Sequence, residues 1–489
     1  MPTPQEIYAQ LTGPGGPFEV VVEDVTGRPT EVYKNRMRSL REIPAIARAR
    51  GDDTIHIVQG ERRIGFETFV DTANGVSNAL TRLGVGHGDR VAVLAQNCPE
   101  WCLTFWGTVN LGAVLAGLNG WWKTDEIVYG LQDSGAKVLV ADRKRLERVV
   151  KDLDECPDLE HVVLIDCDPA DVGLDGDPRA RRFDELTTDP TPEAPTTPIA
   201  EDDPATILYT SGTTGRPKGA VSTHRNMIAN LQNTMFSSVY TTMTSGDQLI
   251  PSDGPSVALF TSPLFHVSGL HSGIVVGLLA GLKLVMVDGR FDPLKALELI
   301  QDEKVTIWAT VPTMVWRVCE HPARHDYDTS TVRTVAFGGS PSADELQRMV
   351  RDTFPNVKGA SNVYGLTETS SAATVLSAQE AQERPTSVGR PLPTIKLQIV
   401  EGEVWISGPT IMAGYWGKPE ATADAITDDG WLKTGDIGHV DDDGYLYITD
   451  RKKDMIIRGG ENIYCVEIEN RLVEHEEILD AAVIGVPHP

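Results

Sequence analysis

Between Ile207 and Gly219 an apolar run passes into four hydroxyls (Thr210, Ser211, Thr213, Thr214), two glycines (Gly212, Gly215) and one ammonium, Lys218. Glycine lets successive backbone N–H groups turn inward as an anion nest, the hydroxyls add donors, and a lysine supplies a point charge. The chemistry open to such a loop is to hold a phosphate. It is not a Walker A loop, which carries Ser or Thr after its lysine and opens a helix; here Pro217 precedes Lys218 and Gly219 follows it. A Gly/Ser/Thr loop alone is a plain surface turn more often than not. The apolar strand before it and the single lysine after it shift the reading to phosphate.

Further segments downstream carry usable groups. In Pro263–Gly269, His266 stands between apolar residues, where a histidine is usually core. Phe337 is followed by Gly338, Gly339, Ser340 and Pro341; paired glycines admit a flat ring, and equally make an ordinary strand-to-helix turn. Asn362–Thr369 offers the aromatic face of Tyr364, then Gly365, the Thr367 hydroxyl and the Glu368 carboxylate, a hard oxygen suited to Mg²⁺. Asp436, an acceptor-only group, suits a pair of sugar hydroxyls. Arg451, Lys452 and Lys453 form a basic run, a type usually just solvated, and Gly459-Gly460 follows.

In this order, over about Phe66–Pro489, these segments resemble the signature set of the adenylate-forming superfamily: acyl-CoA synthetases, peptide-synthetase adenylation domains and luciferases. The joint match is far more specific than any one loop. The resemblance implies ATP and Mg²⁺ as cofactors and coenzyme A as co-substrate. It implies that residues 210–215 and Lys218 cradle pyrophosphate and that residues 338–341 line adenine. Tyr364, Asp436 and Arg451 would hold the nucleoside, Thr367 the α-phosphate and Glu368 the metal. His266 would border the acid, not as a general base, since a carboxylate nucleophile needs none at pH 7. Lys453 would be the hinge, and Gly459 and Gly460 would line the pantetheine tunnel.

The surrounding pattern supplies a scaffold. From Phe66 helices alternate with short apolar strands (Val91–Leu94, Val114–Leu118, Lys137–Val140), which implies parallel sheet covered by helices. Thr187–Pro204 reads as a surface linker, and a second alternating region follows from Ala205 to about Val375. From Ile395 to Ile448 short strands with Gly-Asp turns predict a small antiparallel barrel. The fold expected is α/β: a large N-terminal domain, residues 1–450, of two sheet-and-helix subdomains plus the small β-barrel, then a hinge and an incomplete small α+β domain, residues 451–489. Arg36, Arg38, Arg41 and Arg48 near helical spacing read as an exposed charged face, and Trp121-Trp122 as core.

Composition bounds the rest. There are 44 Lys+Arg against 70 Asp+Glu, a net charge of −26, which repels nucleic acid and anionic membrane. Six cysteines in 489 residues make no disulfide framework, and Met1–Gln5 begins no secretory signal, so a cytoplasmic setting is expected. The most apolar stretch, Ser272–Val287, is too short to span a bilayer. The expected partners are an acid, ATP and CoA, with no nucleic acid and no transmembrane segment; a homodimer is compatible. The family's last catalytic lysine sits in a Gly-Lys segment that does not occur before Pro489; the reading favoured is an incomplete sequence that binds ATP and adenylates slowly. Pocket segments rich in Gly, Val, Leu and Phe point to an apolar acid, fatty first and aryl second. Two alternatives stand beside CoA ligation: loading of a carrier protein, and a nucleotide-binding homologue without catalysis.

Overall fold

The structure, a computed structural model, describes residues 2–210, 215–245, 256–338 and 344–453, with 456–458, 461–463, 465, 468, 472 and 482–486 beyond. Ser211–Thr214, Gly339–Pro341, Gly459 and Gly460 lie outside the described residues.

Two large sheets and a small one make the α/β framework. The first sheet runs, in spatial order, Gly414–Tyr415, Lys218–Thr223, Pro204–Thr210, Val114–Gly117, Arg90–Leu94, Val138–Asp142, His161–Ile165 and Ala180–Arg182. Its strands are parallel from Pro204–Thr210 onward; the first two are antiparallel additions. The second sheet runs Arg390–Pro391, Ser371–Leu376, Ala360–Leu366, Thr334–Gly338, Ile307–Thr310, Val257–Phe260, Lys283–Met286, Ile55–Gln59 and Arg62–Gly65. The strands of both centres are short and apolar throughout, as parallel strands buried on two faces must be.

The helices Phe66–Arg82 and Pro99–Asn110 fill the space between the sheets. Phe69, Trp101, Phe105 and Trp106 form one core with Val91 and Leu208 of the first sheet and Ile57 and Phe260 of the second. Gly107 allows the contact, since a Cβ there would lie 2.6 Å from Val76 Cγ1. Pro99 at the first turn and Gly112 at φ +78° just after the end bound the second helix.

Four expectations are corrected. The linker Thr187–Pro204 does not divide the sheets: Pro204–Thr223 closes the first, while Ile55–Gly65 belongs to the second, because Val58 pairs with Val285 and Ile207 with Ala116. The expected barrel is an open antiparallel sheet of Lys396–Val400, Glu403–Ser407, Leu432–Val440 and Leu446–Arg451. Its last strand hydrogen-bonds to Val388 and Gly389 beside the second sheet. The arginines do not form one exposed face, although Arg38 is exposed. Only Glu42–Arg48 is helical, Arg36 is buried against Glu23 and Glu201, and Arg41 donates to the carbonyls of Asn110 and Thr197. Of the two tryptophans Trp122 is core, but Trp121 is 66% exposed.

Candidate active site

The two strands that flank the expected phosphate loop form a β-hairpin. Pro204–Thr210 and Lys218–Thr223 are antiparallel, with Thr210 opposite Lys218. The incoming strand is parallel to Val114–Gly117, so the loop leaves the carboxyl edge of the sheet, where open α/β sheets bind ligands. The return leg is pinned. Tyr129 Oη donates to the Pro217 carbonyl at 2.9 Å, and the Arg216 guanidinium lies 5.0 Å from the Tyr129 ring centre. The Thr210 hydroxyl donates weakly to the Lys218 carbonyl at 3.4 Å. Gly219 is needed because a Cβ would stand 2.5 Å from Ile207; at Gly215 it would meet open space.

The second sheet delivers Thr367 and Glu368. The strand Ala360–Leu366 ends in a single 3₁₀ turn, Thr367–Thr369, followed by Ser370 at φ +51° and Ser371 at φ +103°. Such angles are strained for serine and persist only where neighbours over-determine them. Here Ser222 and Ser370 hydroxyls pair at 2.9 Å, His271 Nδ1 hydrogen-bonds the Ser370 carbonyl at 3.0 Å, and Ser272 meets Ser371 at 2.6 Å. Gly365 completes the turn, since a Cβ would fall 1.8 Å from the Ser371 carbonyl oxygen. Gly365→Ala is therefore expected to cost about 3 kcal/mol, the upper end for overpacking, read as a lower urea midpoint.

Tyr415, which sequence reasoning missed, joins these two elements. Its hydroxyl donates to Glu368 Oε1 at 2.8 Å, and Lys218 Nζ sits 4.4 Å from its ring centre. The segment carrying it laces both sheets: Met412 N–H donates to the Glu368 carbonyl, Ala413 N–H to Val221 and Trp416 N–H to Gly219. The available signal was the Gly-Tyr-Trp run at Gly414–Trp416, aromatic residues outside any periodic stretch.

On the far side of the Glu368 turn, Tyr364 Oη donates to Asp436 Oδ2 at 2.7 Å, and Arg451 Nε meets Asp436 Oδ1 at 2.9 Å. Asp436 and Arg451 are cross-strand partners of the small sheet. Asp436 is 2% exposed. Burial raises its carboxyl above the ordinary value, against the opposing pull of Arg451 and the Tyr364 hydrogen bond. Gly338 pairs with Val363 one strand away, and Lys453 is exposed just beyond the end of the strand that carries Arg451.

His266 caps a short helix, Val267–Gly269, and is half-buried. Burial lowers its pKa below 6.5, so the ring is neutral at pH 7. Its ring centre is 4.6 Å from Phe265, and Trp121 meets Phe265 edge-on at 5.1 Å. Trp122 packs on Tyr209 at 5.3 Å, which ties this aromatic group to the hairpin. The structure thus makes three groups: Lys218–Tyr415–Glu368, Tyr364–Asp436–Arg451 and His266–Phe265–Trp121.

Among the described residues no three His, Cys, Asp or Glu converge as a closed metal site. The chemistry of Glu368 still fits Mg²⁺. Oε1 takes the Tyr415 proton, Oε2 has no protein partner among the described residues, and Mg²⁺ beside nucleotide needs only one or two carboxylates.

The hairpin, the Glu368 turn and the buried Asp436 stand on a three-sheet framework that is shared with adenylate-forming enzymes. The chain belongs to the AMP-binding enzyme family, whose profile matches residues 44–416. It is 36% identical to a feruloyl-CoA synthase of Amycolatopsis over 426 residues, covering 85% of this chain and 79% of that one. It is 31% identical to a long-chain-fatty-acid–CoA ligase of Bacillus subtilis, covering 92% and 83%. A solved fatty acyl CoA synthetase of Mycobacterium tuberculosis superposes with a TM-score of 0.75 at 29% identity, covering 92% and 86%. The enzyme class is an AMP-forming acid–thiol ligase using an acid, ATP and CoA. No helix among the described residues is long and apolar enough to cross a membrane.

Proposed function

We propose that this chain activates an apolar carboxylic acid, fatty in the first instance, as its acyl-adenylate and passes the acyl group to coenzyme A. The observation that carries the reading is the Lys218–Tyr415–Glu368 group at the carboxyl edge of the first sheet, which brings a cation and a hard carboxylate to one phenol, the first over its face and the second at its hydroxyl.

In the first half-reaction a carboxylate oxygen bonds to the α-phosphorus and the α–β bridging P–O bond breaks, releasing pyrophosphate. Negative charge grows on the departing oxygens, and a fixed cation there lowers the barrier. Lys218 supplies that cation. Thr367 donates to the α-phosphate, and Glu368 would hold Mg²⁺, whose charge neutralises the phosphates. Asp436 accepts from the ribose hydroxyls, with Arg451 and Tyr364 fixing its orientation; Tyr364 and Gly338 border adenine. Neutral His266 walls the acid without competing for its charge. In the second half-reaction the CoA sulfur attacks the acyl carbon and AMP leaves. Rotation about Lys453 would exchange the adenylation face for the thioester face. Cys98, Cys102, Cys156, Cys167 and Cys319 stand as free thiols, which supports a reducing, cytoplasmic setting.

An aryl acid is the second reading, favoured by the Trp121–Phe265–His266 wall. The test is pyrophosphate release and CoA-thioester yield with dodecanoate and with ferulate. Dodecanoate should give the higher kcat/KM. A ratio reversed toward ferulate establishes the aryl reading, and absence of ATP-dependent thioester with any acid refutes both. Trp121→Ala should raise the KM for ferulate about tenfold, as loss of an aromatic contact does, and leave the KM for ATP unchanged.

A further inference from the structure

Lys218 and Glu368 carry opposite charges and both touch a single phenol, the ammonium over its ring face and the carboxylate at its hydroxyl. Both are half-buried, opposite charges there attract, and two flexible side chains left to themselves would close. Among the described residues neither Lys218 nor Glu368 makes an ion pair; what each touches instead is Tyr415.

The phenol is firmly mounted. Tyr415 pairs with Ala220, two residues beyond Lys218, and its N–H donates to Thr422 Oγ1 at 2.9 Å. Gly414 before it has φ +144°, and a Cβ there would lie 2.7 Å from Thr422 Cγ2. Met412 N–H holds the Glu368 carbonyl from the same segment at 2.9 Å. The hydroxyl donates to Glu368 Oε1 at 2.8 Å, so the carboxylate is held at the ring's edge.

We propose that Tyr415 is a positioning residue that acts as a spacer: it keeps Lys218 and Glu368 from pairing with each other, and so keeps both available to the nucleotide. The ring face holds the ammonium by an attraction weak enough to yield to a phosphate, whereas a Lys–Glu ion pair would have to be broken at each binding event. The inference rests on the proposed placing of Lys218 at the phosphates and deepens it.

The test is calorimetric binding of ATP in excess EDTA, so that no metal enters and no turnover is read. Tyr415→Phe keeps the ring and should stay within about twofold of the unaltered protein, while Tyr415→Leu, which frees the pair to collapse, should bind about tenfold more weakly. Adding Glu368→Gln to Tyr415→Leu should restore affinity to within about threefold of Glu368→Gln alone, because the competing charge is gone. A merely structural tyrosine gives no such recovery. Should Tyr415→Leu not fold, Tyr415→Met lacks the ring with an adaptable chain and reads the same quantity. Affinity in the ringless variant equal to the unaltered protein, or no recovery with Glu368→Gln, overturns the spacer. No ATP binding by the unaltered protein overturns the proposed function with it.

Discussion

Lys218→Ala should lower acyl-adenylate formation by about 10²–10³, the size of effect seen when one fixed donor to a developing oxyanion is removed. The lysine opens a strand whose register is set by five further cross-strand partners, so its Cα does not depend on its side chain. The ammonium touches a ring face and no carboxylate among the described residues, so truncation leaves no buried charge unpaired behind it. The loss should therefore appear in chemistry and nucleotide affinity and not in folding. The check is ATP–pyrophosphate exchange alongside a urea transition. A lysine-free variant with unchanged exchange would remove the basis for placing a phosphate in this loop.

Asp436→Asn should weaken ATP binding by about 10- to 100-fold, since hydrogen bonds to a charged acceptor contribute about 1.5–3 kcal/mol. It also strips the Arg451 guanidinium of its partner. The same substitution has a second signature in pH. Burial raises the Asp436 carboxyl in the folded chain above its ordinary 3.8, so the native state binds the proton more tightly than the unfolded state. Stability from this group is therefore present at low pH and falls as pH rises from the ordinary carboxylate value through the raised one. Asparagine has nothing to titrate, so the variant should lose that decline. The measurements are ATP titration at pH 7 and urea midpoints across the acidic range. A variant that binds ATP as tightly as the parent chain would take Asp436 out of the ribose site.

Much of this architecture is legible from residues alone, for identifiable reasons. Strands such as Ile307–Thr310 and Val257–Phe260 carry their boundaries locally, in a short apolar run between polar turns. The ordered motif series carries the family because each motif is a contiguous stretch of backbone and side chain. Partnership between distant elements has no such local mark. Nothing near Ile55 announces that it will pair beside Lys283–Met286, because a parallel strand looks the same in either sheet. Tyr415 is invisible for the same reason, as its role exists only once the hairpin and the Glu368 turn both reach it. Trp121 differs from Trp122 only in direction. Asn119 accepts the Trp121 N–H through Oδ1 and the Trp122 N–H through its carbonyl, and the turn points one indole outward. Arg36 and Arg41 looked solvated because their partners, Glu201 and the carbonyls of Asn110 and Thr197, are remote in the chain.

The exchange of strands between the two sheets bears on how the polypeptide comes together. Ile55–Gln59 leaves the ribosome early yet stays unpartnered on its parallel side until Lys283–Met286 has been made. Val114–Gly117 likewise waits for Pro204–Thr210. Neither half can mature ahead of the other, and a cut at residues 187–203 would yield two fragments that each lack an interior strand. Assembly must be one late, concerted event dominated by contacts between distant parts of the chain, the regime in which folding is slow and nascent edges are most exposed to aggregation.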